Sequence, residues 1–175
     1  MMAKHQGQEV ASVLFLDFDE ILCLNRPYGG GHLLMQPQPA DLHLHLWHPP
    51  ALHALLEVVE NTRPSIVLTT TWLRFLDLPT ARELFKRTGA ELLAQQLHPQ
   101  GEAPQIAGQS RLQAIDAWMA RNGRPHSYAI LDDPESGTGL AGSTHDAAGR
   151  VILCTSGRGI DTQTASALLA ALKMR

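Results

Sequence analysis

Apolar residues recur along this chain in two rhythms. Unbroken runs of strand length occur at Val13 to Phe18, at Ser65 to about Thr70 ("SIVLTT"), at His126 to Asp133 ("HSYAILDD") and at Arg150 to Thr155 ("RVILCT"). Runs without polar alternation suit strands covered on both faces. Between them the spacing turns helical. "PPALHALLEVVENT", residues 49–62, aligns Leu52, Leu55, Leu56 and Val59 on one face behind two prolines. "LPTARELFKRTG", residues 78–89, predicts a helix capped by Thr80 and stopped at Gly89. "SRLQAIDAWMARNG", residues 110–123, carries the fullest signal: Ser110 at the N-cap, Gln113 completing a capping box, Gly123 as the stop. "DTQTASALLAALKMR" closes the chain with Asp161 as cap and with Lys173 and Arg175 suited to the negative helix end. Residues 98–109 have loop composition, and residues 23–50, rich in Gly, Pro and His, read as a long flap.

Strands alternating with helices predict an α/β fold, a three-layer Rossmann-like parallel sheet with helices on both faces and right-handed crossovers. At 175 residues the chain suits a single domain spanning 1–175, with 23–50 as a lid-like insertion. Composition agrees, at 44% hydrophobic and 18% charged residues. The formal net charge of -3 removes any global basic field that would gather a nucleic-acid polymer, while leaving local contacts open. Cys23 and Cys154, each among apolar neighbours, are expected as buried free thiols. The N-terminal "MMAKHQGQEVAS" has no signal-peptide core, and no segment reaches the roughly 20 apolar residues of a membrane span, so a cytoplasmic setting is expected.

The chemistry gathers where the apolar runs stop. The first ends at Asp17 and Asp19, the second at Thr69 and Thr70, the third at Asp132 and Asp133. In an open parallel sheet the ligand lies beyond these carboxyl ends. Polar strand ends are ordinary in wet loops, which explains one such terminus more readily than three. Four neighbouring carboxylates repel one another unless a cation sits among them, and hard oxygen donors select Mg2+. Such a site suits phosphoryl transfer, with a carboxylate as nucleophile. Arg111, at the start of the capped helix, is placed to hold a phosphate together with that helix's positive end. Thr70 is the candidate hydroxyl donor, with Thr69 and Thr71 as competitors, since one residue of register flips the side chain.

The order Asp-x-Asp, a strand ending in Thr, a basic residue, then an acidic pair resembles the haloacid dehalogenase (HAD) superfamily. "DFDEIL", "IVLTT", Arg111 and "ILDD" are similar to its four motifs in turn. "TTTW", "RLQAI" and "WM…ILDD" resemble more closely the small HAD branch associated with Swiss Army Knife RNA repair proteins, from about Val13 to Leu172. The resemblance implies a Mg2+-dependent phosphatase working through an aspartyl phosphate. It makes Asp17 the nucleophile and Asp19 the general acid and base. Metal would be held by Asp17, the Asp19 carbonyl and Asp132 or Asp133, and the phosphoryl group by Thr70 and Arg111. Two positions depart from the pattern: Glu20 stands where Gly is usual, and Arg111 where Lys is usual.

Neither insertion is long enough for a cap with its own core. An open site favours an accessible phosphate, on a nucleotide, a nucleic-acid end or a phosphoprotein, or a cap lent by a partner subunit. "DLHLHLWH" is read as an amphipathic extended segment with Asp41, His43 and His45 on one face; a zinc site with His48 is the rarer alternative. Trp47, Trp72 and Trp118 are expected in the core, with Trp72, directly after the hydroxyl cluster, carrying base stacking as its rarer alternative; His145 and Asp146 are expected in a surface turn, with orientation of substrate as the rarer alternative. Two rivals are a receiver-like phosphoryl-accepting module, against which the motif order argues, and a phosphate-binding module without turnover.

Overall fold

A computed structural model describes residues 12–174. Its five strands are β1 (Ser12–Leu16), β2 (Ser65–Leu68), β3 (Leu97–Glu102), β4 (Ser127–Asp132) and β5 (Val151–Leu153). They form one parallel sheet in the order β3-β2-β1-β4-β5. From β1 the chain steps outward through β2 to β3, then crosses back to lay β4 on the other side of β1. That reversal opens a crevice beyond the carboxyl ends of β1 and β4, where open α/β sheets bind their ligands.

Alternation along β1 feeds two cores. Leu14 and Leu16 enter the larger one, packed by α2 (Pro49–Thr62), α3 (Leu78–Arg87), α4 (Glu91–Gln96) and α7 (Thr162–Lys173). Val13 and Phe15 enter the other, where Ile115, Trp118 and Met119 of α5 (Arg111–Asn122) cover the opposite face. Phe15 meets Trp118 edge-on at 5.3 Å. Each large apolar side chain so buried stabilises the fold by about 1.5–3 kcal/mol. The doubly covered parallel sheet is the one the apolar runs predict, and no separate cap stands among the described residues. Cys23 and Cys154 are free and buried.

Three local expectations need correction. β3 lies in the stretch read as loop: as the edge strand it needs no apolar run, and Pro99, which cannot donate to a ladder, is tolerated there. The cap of α3 is Asp77, whose Oδ1 accepts from Thr80 N at 2.9 Å; Thr80 lies inside the first turn. The "DLHLHLWH" segment is not extended but forms a single-turn helix, α1 (Leu42–His45), with Leu42 and Leu46 buried and Leu44 exposed. Helical spacing of Leu42 and Leu46 overrode the alternating pattern. The caps expected of α5 and α7 are present: Ser110 accepts from Gln113 N within a capping box, and Asp161 accepts from Thr164 N. The N-terminal stretch to residue 11 and Arg175 lie outside the described residues, and with them the expectations placed there. No helix of the described residues is long and apolar enough to cross a membrane.

Candidate active site

Strand parity brings the candidate site residues to one side of the crevice. Asp17 continues the Val13–Phe15 row, Asp132 the Tyr128–Ile130 row, and Thr69 the row of Val67, all facing α5. Two backbone bonds carry the pairing past the strand ends: Asp17 N donates to Leu131 O at 3.1 Å and Thr69 N to Leu16 O at 2.9 Å. Arg111 is the first residue of α5, and Arg111 N donates to Thr138 Oγ1 at 2.9 Å, which ties the helix start to the loop after β4. The positive end of α5 therefore points into the acids.

Asp17, Asp132 and Asp133 are all buried, and each offers a carboxylate oxygen within 4.8 Å of the others. Arg111 Nε stands 2.8 Å from Asp132 Oδ2, a close ion contact short of hydrogen-bond alignment, and Nη2 stands 3.7 Å from Asp17 Oδ1. Asp133 Oδ1 accepts from Glu135 N at 2.8 Å and Ser136 N at 3.1 Å. Both oxygens of Asp17, Oδ2 of Asp132 and Oδ2 of Asp133 have no hydrogen-bond partner. Three ionised carboxylates against one guanidinium leave two negative charges in a buried space, a costly state without a further cation. The pKa values respond accordingly. Burial pushes Asp17 up to about 6 against the pull of Arg111. Burial and the neighbouring Asp17 charge push Asp132 up to about 8. The donors fit a hard divalent cation such as Mg2+, with Asp17, Asp132 and Asp133 supplying the oxygens.

Asp19 is not part of this group of close carboxylates and is only half-buried. Its Oδ2 accepts the Trp72 indole N–H at 2.8 Å, and its Oδ1 faces Asn25 Nδ2 at 3.4 Å. Burial raises its pKa, and the two hydrogen bonds oppose the rise. Trp72 is packed as expected, between Trp47 and Phe75, but its one polar atom goes to Asp19. Gly30 of the flap lies so close that a Cβ there would come within 2.5 Å of the Trp72 ring. Trp72 as a partner of Asp19 escaped the sequence reading, although its place directly after the threonines was the available signal.

The three threonines separate. Thr69 Oγ1 is buried without a partner, Thr70 Oγ1 accepts from Trp72 N at 3.3 Å as a turn cap, and Thr71 is exposed. Glu20 has φ 61°, the left-handed region in which Gly is favoured, and its Oε2 accepts from Gly157 N in the β5–α7 loop. The histidines of the insertion form no metal group with one another among the described residues; His45 instead faces Asp41 at 3.6 Å. His145 is no surface residue. It is buried in the short helix α6 (Thr144–Ala147), with Nδ1 2.6 Å from Tyr128 Oη and Nε2 2.8 Å from Asp116 Oδ1.

No match was found among curated proteins or among solved structures. The HAD domain of Swiss Army Knife RNA repair proteins matches residues 13–165, an interval holding every residue of the crevice. Family membership points to phosphatase-type or phosphate-related chemistry, and the buried acidic cluster is compatible with a metal ion. On this match and the geometry just described, the chain belongs to the family of HAD domains in Swiss Army Knife RNA repair proteins.

Proposed function

We propose that the protein is a Mg2+-dependent phosphatase that hydrolyses phosphoric monoesters through an aspartyl phosphate on Asp17, acting on an accessible nucleotide or nucleic-acid phosphate. The observation carrying the proposal is the group of unpartnered, buried carboxylate oxygens on Asp17, Asp132 and Asp133, with Arg111 against them at the topological switch point. Magnesium, held by Asp17, Asp132, Asp133 and the Asp19 backbone carbonyl, would neutralise phosphoryl oxygens as a carboxylate approaches them.

A carboxylate oxygen of Asp17 attacks phosphorus, and the ester P–O bond breaks with its electron pair on the leaving oxygen. Asp19, whose raised pKa favours the protonated form, gives that oxygen its proton. Asp19 then takes a proton from water, whose oxygen displaces Asp17 from phosphorus and releases inorganic phosphate. Arg111 and the N-terminus of α5 hold the phosphoryl group, joined by Thr69, whose buried hydroxyl has no other partner, and by Thr70. Trp72 and Asn25 orient the Asp19 carboxylate.

Asp17→Asn should abolish turnover of a chromogenic phosphate ester while the circular dichroism spectrum stays that of the native fold. Activity retained in that variant removes Asp17 as nucleophile. A second reading, a phosphate-binding module without turnover, draws support from the Arg111–Asp132 contact, which places a cation on a carboxylate that the metal would share. Tight binding of phosphate esters with no Mg2+-stimulated release of phosphate would favour it.

A further inference from the structure

We propose that the phosphoryl site continues into a second pocket that receives a nucleobase, with Phe75 as its stacking surface and Arg74 as the cation at the junction. The proposal rests on the phosphatase reading for the place of the phosphoryl group.

A run of rings leads outward from the core. Trp47 and Trp72 stack at 5.7 Å with planes 15° apart, and Trp72 and Phe75 at 6.2 Å with planes 27° apart. Trp47 and Trp72 are buried, whereas Phe75 is 39% exposed. The stack is closed at its inner end and open at its outer one, where another flat π-system adds favourably.

Two adjoining cavities with shared walls lie beside that surface and beside two of the phosphate-handling groups, Thr70 and Arg111. A cavity of about 190 Å³ is lined by Thr70, Thr71, Gln105 and Arg111, and a second of about 450 Å³ by Phe75, Leu76, Asp77 and Glu102. Leu73, Arg74 and Pro104 line both. Arg74 has no hydrogen-bond or ion-pair partner among the described residues, so its charge is available to a ligand anion. In the second cavity Asp77 Oδ1 is engaged by Thr80 N and Glu102 Oε1 by Leu78 N. The other oxygen of each remains an acceptor for sugar hydroxyls or base amines.

The order of features, phosphate groups then junction then aromatic face, selects the ligand. An aryl ester such as phosphotyrosine carries its ring on the ester oxygen and, in this arrangement, would place that ring at the first cavity rather than the second. A plane held away from phosphorus by a sugar reaches the second, and that is a nucleotide.

The test is calorimetric binding to the full chain with Mg2+ and the Asp17→Asn substitution, which blocks turnover. The probes are inorganic phosphate, glycerol phosphate, phosphotyrosine and the 3′- and 5′-monophosphates of adenosine. At least one adenosine monophosphate should bind about tenfold tighter than glycerol phosphate. Adding Phe75→Ala should erase that advantage and leave inorganic phosphate binding unchanged, and Phe75→Trp should restore it. Equal affinity for the nucleotides and glycerol phosphate, no nucleotide binding, or equal losses on all probes would overturn the pocket. Tighter binding of phosphotyrosine would overturn it in favour of a phosphoprotein. Turnover by the unsubstituted chain is scored separately. Phe75-dependent nucleotide binding without turnover retires the phosphatase and keeps the pocket; turnover indifferent to Phe75 does the reverse.

Discussion

Trp72 lies in a cluster of aromatic rings and directs its only polar atom at Asp19, so its packing and its polar role separate in a single substitution. Trp72→Phe keeps a flat ring in the stack and removes the donor. Hydrogen bonds to charged groups are worth about 1.5–3 kcal/mol, so hydrolysis of a sluggish alkyl phosphate should fall about tenfold or more. Phosphoenzyme formation from a nitrophenyl ester, whose leaving group needs no proton, should change little; stopped-flow release of nitrophenolate separates the two. Equal losses on both substrates would make Trp72 a packing residue alone. Glu20 offers a test on stability. Its left-handed backbone costs about 1 kcal/mol in a residue with a Cβ, and its bond to Gly157 N offsets part of this. Glu20→Gly should leave the melting temperature nearly unchanged, because it removes both terms. Glu20→Ala, which keeps the strain and loses the bond, should destabilise by about 1 kcal/mol in urea titration.

At the level of elements, α5 decides whether Arg111 is in place. Ser110 caps it, and Gln113 Oε1 accepts from Ser110 N at 2.9 Å in return. Ser110→Ala should cost about 1 kcal/mol of stability and loosen the first turn on which Arg111 sits, raising KM for phosphate esters more than it lowers kcat. An unchanged KM would mean that the ion contacts, not the cap, hold Arg111. The elements also mark how far the amino-acid sequence could be read. The capping box, the Asp161 cap and the acid-ended strands were legible because each is a local signal in adjacent residues. β3 was not, since an edge strand of Leu97–Glu102 carries Pro, Gln and Gly and is defined by its neighbour rather than by its own pattern. The helical turn at His43 and His45 was missed for a related reason: the alternation over the five residues Leu42–Leu46 also fits one helical turn, which puts Leu42 and Leu46 on the same buried face. Thr69 was among the candidates, but the choice among Thr69, Thr70 and Thr71, the aromatic run and the Trp72–Asp19 bond depend on register and on contacts between residues up to 53 positions apart, which no local pattern encodes.

For the molecule as a whole, the buried acids couple stability to pH and, through the proposed cation, to metal. Asp17 and Asp132 have folded-state pKa values raised to about 6 and about 8 from an ordinary 3.8. In that direction the folded protein binds more protons than the unfolded chain between those limits. The contribution to stability is therefore complete below pH 4 and is lost as pH rises through 6 and then 8. The metal-free protein should lose melting temperature progressively from pH 5 to pH 8, and Mg2+ should restore more at pH 8 than at pH 5. A Mg2+ effect independent of pH would place the binding away from these carboxylates. The most direct test of the central claim, that Asp17, Asp132 and Asp133 together hold a divalent cation, is an anomalous difference map from crystals soaked in Mn2+. One strong peak in contact with Asp17 and at least one of Asp132 and Asp133 is the predicted result. A crevice without a peak at saturating Mn2+, or a peak bound elsewhere with none there, would contradict it.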